Sequence, residues 1–310
     1  MSITLKHFSL LILGLISCLG SEDSSPPAKV SNELSIAQLD PIWYSGKAEL
    51  STYDLKQNRY DGIHDGEAVM IFVTEPFNTK KQVKNESGTN KNSASTLKNN
   101  QIRRFTTGIY DYSIFTSIFT DANDANTYKV TNSSQDWCGQ SYSQLNKTKR
   151  GYQYELRSYF ESEGDQNIEV LDAILEDELY NYIRLDETLL PKGSFKILIA
   201  SHVARLLHQP FKAIEATGSI QDYENKDMKG QKLKSYKIQM PSLQRSLEII
   251  YDSATSTNEI VGWKDSSPSV FDQKIRTTTA TRKEVIWSAY WSQNGVHDTE
   301  DREKLLLSNY

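Results

Sequence analysis

The stretch Tyr152-Gln-Tyr154-Glu-Leu156-Arg-Ser158-Tyr-Phe160 decides the fold class. Tyr152, Tyr154, Leu156 and Phe160 fall on one side of an extended chain, while Gln153, Glu155 and Arg157 fall on the other, the period of a half-buried strand. The same alternation sets Tyr236, Ile238 and Met240 against Lys237 and Gln239, and it places Val285, Trp287, Ala289 and Trp291 together. Weaker strand signals lie at 46–55, 66–74, 103–119, 127–131, 195–200, 246–251 and 274–282. Between them stand the turn dipeptides Asp61-Gly62, Asp65-Gly66, Glu163-Gly164, Lys192-Gly193 and Lys229-Gly230. The expected fold is mainly β: about ten strands in a large curved antiparallel sheet or open barrel, with one or two packing helices.

Gly66-Glu-Ala-Val-Met-Ile-Phe-Val73 is apolar on both faces, so it is expected as a central strand covered on each side. The cover is expected from a helix over 168–184, where Ile168, Leu171, Leu175, Leu179 and Tyr182 recur at spacings of three and four, with Asp165 or Asn167 as cap. Residues 78–101, dense in Asn, Lys, Ser and Thr, read as a mobile polar insertion or long hairpin loop. No repeat or mid-chain linker divides the rest, and residues 41–310 read as one domain.

The first eighteen residues carry an address. Lys6 precedes the apolar run Phe8–Cys18, which is about half the 20 residues needed to span a bilayer and matches the core of a secretory signal. Leu15-Ile16-Ser17-Cys18 is similar to the lipobox of bacterial lipoproteins, so residues 1–17 are expected as signal peptide and Cys18 as the acylated first residue of the mature chain. Residues 18–40, including Ser24-Ser25-Pro26-Pro27, are then a flexible tether. Leu19 is not the Asp of inner-membrane retention, and Ser21-Glu22-Asp23 resembles acidic export signals of surface lipoproteins. The expected location is the outer membrane, at its periplasmic face or at the cell surface, with the membrane itself as a partner through Cys18. With Cys18 acylated, the second of two cysteines, Cys138, has no intramolecular partner.

Among 310 residues, 35 Lys and Arg against 40 Asp and Glu leave a formal charge of −5, which argues against a nucleic-acid partner. Neither the P-loop nor the dinucleotide fingerprint occurs, and Gly139-Gln-Ser141-Tyr-Ser143 lacks the second glycine of a nucleophile elbow. His202 and His208 stand six apart around Val203-Ala-Arg-Leu-Leu207, a core or rim context rather than a metal site; His64 reads as a solvated turn residue. The cluster to watch is Trp137, Cys138 and Gly139, with structural burial the expected role of the thiol. Glu161/Glu163 and Glu176/Asp177/Glu178 read as a solvated acidic face. No catalytic residue, metal ligand or cofactor is assigned.

Trp43-Tyr-Ser-Gly-Lys-Ala-Glu49, Ala68-Val-Met-Ile-Phe-Val-Thr-Glu-Pro76, Phe105-Thr-Thr-Gly-Ile-Tyr110, Ser133-Ser-Gln-Asp-Trp-Cys-Gly139, Ser158-Tyr-Phe-Glu161 with Gly164-Asp165, Leu175-Glu-Asp-Glu178 and Leu190-Pro-Lys-Gly193 resemble a family of Bacteroidota lipoproteins, and the resemblance spans most of the mature chain. Its members commonly carry the label "septum formation inhibitor Maf". True Maf proteins are cytoplasmic nucleotide pyrophosphatases with an N-terminal Ser-x-Ser-Pro-Arg-like loop; here Ser266-Ser-Pro-Ser269 lacks the arginine and lies near the C-terminus. The resemblance therefore implies an envelope lipoprotein and places no catalytic residue. Tyr- and Trp-rich antiparallel strands with one or two helices are also similar in architecture to periplasmic lipoprotein carriers. The expected role is non-enzymatic binding of an apolar or amphipathic ligand, or of an envelope protein, on the concave face. The alternative is an enzyme: a surface hydrolase, or the pyrophosphatase of the family label.

Overall fold

Many of the strands bury alternate residues, and the sheet they form curves around an interior that holds two short helices. The computed structural model describes residues 39–87 and 91–308, all within one compact unit. In chain order the strands are β1 (Ala48–Arg59), β2 (Gly62–Asn78), β3 (Val83–Lys84), β4 (Ser93–Thr107), β5 (Tyr110–Asp121), β6 (Thr127–Asp136), β7 (Gly139–Lys147), β8 (Gly151–Ser158), β9 (Gln166–Leu171) and β10 (Ile174–Leu175). Helix α1 (Leu179–Leu185), β11 (Gly193–Leu198) and helix α2 (Ser201–Leu207) come next. The chain ends with β12 (Ala213–Asp222), β13 (Leu233–Met240), β14 (Arg245–Asp252), β15 (Glu259–Pro268), β16 (Ile275–Ser288) and α3 (Glu300–Lys304).

All sixteen strands belong to one sheet. It runs β10-β11-β12-β13-β14-β15-β16-β1-β2-β4-β5-β6-β7-β8-β9, with β3 paired to β2. Pairing is antiparallel throughout except between β10 and β11. The sheet is an up-and-down meander whose first and last strands, β1 and β16, pair in its middle. In a flat sheet β4 and β15 would stand four strand spacings apart, roughly 19 Å. The Arg103 guanidinium of β4 nevertheless lies 5.0 Å from the Trp263 ring of β15, so the sheet is strongly curved.

The inner face holds Tyr53, Leu55, Met70, Phe72, Phe105, Tyr152, Tyr236, Ile238 and Trp263, all nearly inaccessible, together with the buried helices α1 and α2. Asn181 of α1 donates to the Leu97 carbonyl at 3.0 Å and to Thr120 Oγ1 at 2.9 Å, and Arg184 of α1 forms a buried ion pair with Glu49. Burial holds the Glu49 carboxyl above the usual carboxylate range in spite of that arginine.

The central strand is covered on both faces, as its composition requires. The expected helix over 168–184 is replaced: residues 166–171 form β9, and only Leu179–Leu185 are helical. Ile168 and Leu171 are exposed there, so no apolar stripe drives a helix onto the core, and the segment pairs with β8 as an edge strand of the sheet. On the outer face the cover comes from the C-terminal segment, where Leu305 packs on Ala48, Leu50, Ile71 and Val73. Thr52 Oγ1 fixes that segment by donating to the Leu305 carbonyl at 2.7 Å.

Two further expectations are corrected. Within the polar segment 78–101, Ser93 onward belongs to β4, paired with both β2 and β5. Buried Asn99 and Gln101 take inner-face positions there that apolar residues fill elsewhere. Asp65-Gly66 is no turn but lies within the first part of β2, and His64 belongs to the same strand. Gly66 is required because a Cβ there would meet the Arg104 carbonyl oxygen at 2.3 Å and Phe105 Cβ at 2.7 Å.

Candidate ligand-binding site

Glu176 and Asp177, expected on a solvated face, are almost wholly buried, as is Glu178. They organise the start of α2: Glu176 Oε2 accepts from the Ala200 amide at 3.2 Å, and Asp177 Oδ2 accepts from the Ser201 amide at 3.0 Å and its hydroxyl at 2.9 Å. Burial pushes the Asp177 carboxyl up to about 7 against these hydrogen bonds.

Glu176 also meets Arg245 in a two-point contact, 2.6 Å at each nitrogen. Asp265 holds the other edge of the guanidinium at 2.7 Å through Nε and 2.7 Å through Nη2. With Met240 Sδ at 3.5 Å, every donor of this buried arginine is used. Burial opposes the cation, but Asp265 and Glu176 outweigh it and hold Arg245 well above its ordinary value. Two carboxylates therefore converge in one cleft, yet a single guanidinium occupies both.

Against α2 the inner face leaves a cavity of about 320 Å³. Sheet register assembles part of its wall, where Asp265 faces Thr278. Thr278 Oγ1 in turn accepts from Gln57 Nε2 at 3.2 Å and the Asn58 amide at 2.9 Å. The deep end holds Arg103, His202 and Arg245, all buried; the outer end holds Val270 and Phe271, both exposed, with Val203 and Leu206 of α2 between. Arg59 lines it too, donating to the Leu206 carbonyl at 2.6 Å and lying over the Tyr60 ring at 4.7 Å. Burial, reinforced by Arg103 and Arg245, lowers the pKa of His202 well below its ordinary value, so this ring is neutral near pH 7. Its placement agrees with the core or rim role read from sequence. His208 instead pairs with Glu163 at 2.7 Å.

The cluster Trp137, Cys138 and Gly139 lies elsewhere, at the β6–β7 turn. The thiol is exposed, against the expectation of burial, and so is Trp137. A tight turn leaves these side chains no core to enter: the Cys138 amide donates to Asp136 Oδ1 at 2.7 Å, and β7 begins at Gly139. The surrounding groove, about 670 Å³, is lined by residues including Tyr142, Arg157, Tyr159 and Asp165 but no histidine. Cys18 lies outside the described residues. Among them no group of three or more His, Cys, Asp or Glu is placed to hold a metal ion, and no helix is long and apolar enough to cross a membrane.

No protein-family model matches the sequence, and neither does any curated protein. Among solved structures the chain is similar to a β-barrel-like protein of a domain of unknown function, DUF1849, from Brucella abortus. The identity is 9%, the match covers 77% of this chain and 97% of the other, and the TM-score is 0.47.

The sequence reading missed Arg103, Gln57 and Arg59. A signal existed, since each interrupts or extends an inward-facing apolar series: Phe105 and Arg103 share a face of β4, and Tyr53, Leu55, Gln57 and Arg59 share a face of β1.

Proposed function

We propose that this chain is an exported, lipid-anchored envelope protein of the Bacteroidota lipoprotein type, held at the outer membrane through Cys18. Its barrel-like body is a binding module, not an enzyme, and it takes a small ligand with apolar and polar parts. The observation that carries the binding reading is the cavity of about 320 Å³ between α2 and the inner face, with buried polar groups at one end and exposed Val270 and Phe271 at the other. Its volume lies at the lower end of the roughly 300–1,000 Å³ typical of ligand sites. The anchoring reading is supported by Leu15-Ile16-Ser17-Cys18 after a short apolar run.

Two measurements test the two halves. Metabolic labelling with a palmitate analogue should tag the wild type and leave the Cys18→Ala variant unlabelled; equal labelling would remove the anchor. Native mass spectrometry of the full chain, purified gently from its membranes, should detect a small co-purifying molecule that is lost on Leu206→Trp, which fills the cavity from α2. A molecule retained in full by that variant would place binding elsewhere.

A further inference from the structure

Three arginines point into the deep part of the inner face, and two of them are matched by carboxylates: Arg184 by Glu49, Arg245 by Glu176 and Asp265. Arg103 differs. It is only 4% exposed, yet it makes no hydrogen bond or ion pair among the described residues, and its named contact is the face of Trp263 at 5.0 Å. A guanidinium cannot shed its proton, and a buried charge without a partner is costly. None of its nitrogens is sealed away from solvent without a partner, unlike Nε and Nη1 of Arg184, so its donors open onto the cavity they line. Asp177, Tyr180 and His202 lie near enough to feel its charge, but Asp177 Oδ2 is taken by Ser201 and His202 is neutral.

The same cavity gathers other unmet polar atoms. Gln57 Oε1, Asn58 Oδ1, Arg59 Nε and His202 Nδ1 are all buried without a partner among the described residues, and all four residues line it. Buried polar groups are normally satisfied, so a cluster of exceptions around one cavity marks a place where something else supplies the partners. Two cations without carboxylates, Arg103 and Arg59, call for an anion. Val203, Leu206, Val270 and Phe271 call for an apolar body beside it.

We infer that the ligand is a small amphipathic carboxylic acid, bound as its anion, whose carboxylate Arg103 grips and whose apolar part lies along α2 toward Phe271. Arg59 supports the anion from the β1 side. The inference rests on the ligand-binding reading above and adds the chemical class. A planar fork of donors suits a carboxylate, which accepts two parallel bonds.

Isothermal titration of the full chain in detergent, with butanoate, hexanoate and octanoate, their primary amides and the matching alkylamines, tests it. At least one carboxylate should bind, and its amide and amine should bind about ten-fold more weakly or not at all. Arg103→Gln should cost about 10- to 100-fold in carboxylate affinity, and Arg103→Lys should restore part of it. Amides binding as tightly as acids, or an undiminished Arg103→Gln, overturn the carboxylate assignment and leave the pocket reading standing. No binding by any probe, with Leu206→Trp still retaining the co-purifying molecule, overturns both. Folding guards the comparison: Arg103→Gln removes an unpaired buried charge, so its thermal midpoint without ligand should equal or exceed the wild type's.

Discussion

Replacing Arg245 with Met would strand two carboxylates inside the protein. The arginine fills the space between Glu176 and Asp265, which approach it at 2.6 and 2.7 Å from opposite edges, and the Glu176 side chain is 2% exposed. Removing one partner of a buried ion pair costs about 3–5 kcal/mol, because the remaining charge keeps its desolvation penalty without its counterion. For a domain of this size that corresponds to roughly 6–20 °C in thermal midpoint. The loss should depend on pH in a fixed direction. In the variant at least one carboxylate has a folded pKa raised above its unfolded value, so the folded state binds more protons than the unfolded chain. The variant's deficit should therefore be smaller at about pH 5 than at about pH 8. Adding Glu176→Gln and Asp265→Asn in the same chain should recover most of the stability. Urea unfolding of the full chain followed by far-ultraviolet circular dichroism reads all three. A deficit below about 1 kcal/mol, or one that is the same at both pH values, would refute the claim that Arg245 is the counterion organising this region.

Asp177, with its carboxyl pushed up to about 7 from 3.8, gives an independent pH signature. Its raised folded value means stability falls as pH climbs through the window between those values, so Asp177→Asn should flatten urea-unfolding profiles there and stabilise the protein above it. Gly66→Ala should destabilise by about 1–3 kcal/mol, since the new methyl meets backbone at 2.3 Å; an unchanged melting curve would show that β4 can move away. Cys138 should react completely with a membrane-impermeant maleimide in the folded protein, and Trp137→Ala should change stability by less than about 0.5 kcal/mol, because both are exposed at a turn. Labelling of Cys138 on intact cells, compared with cells whose outer membrane has been permeabilised, also tests the proposed envelope location: labelling in neither would refute it.

The mainly β architecture was legible because a period of two needs only neighbouring residues: Tyr152/Tyr154 and Tyr236/Ile238/Met240 announce buried faces, and the structure buries them. What failed was reading where polar residues go. The Asn- and Ser-rich segment before Gln101 looks like a loop, but Asn99 and Gln101 of β4 are buried inside the curve, where α1 brings Asn181 among them. Glu176 and Asp177 look solvated for the same reason: their partners Arg245 and Ser201 lie 69 and 24 residues away in the chain. No local pattern carries that pairing. The inward-facing polar positions of the candidate site could be read from sequence, but its key fact could not: that Arg103 has no partner among the described residues is defined only once the neighbours are known.

Placement of α2 links these observations. Seven residues are too few for a helix to persist on its own propensity, so it is held by what it contacts. Glu176 and Asp177 secure its first amides, Glu176 is in turn anchored to β14 and β15 through Arg245, and the Leu206 carbonyl near its other end accepts from Arg59 of β1. Each of these charges sits on or beside the cavity that α2 helps to wall. This region of the core could have been closed with apolar side chains at less desolvation cost. Using charges instead fixes one helix at one distance from the sheet, and that distance sets the volume in which Arg103 can meet a ligand. Loosening the anchor should therefore weaken binding before the sheet itself unfolds: in Glu176→Gln, carboxylate affinity should fall at denaturant concentrations where strand signal is still intact, whereas coincident loss of both would mean that α2 and the sheet form a single cooperative unit.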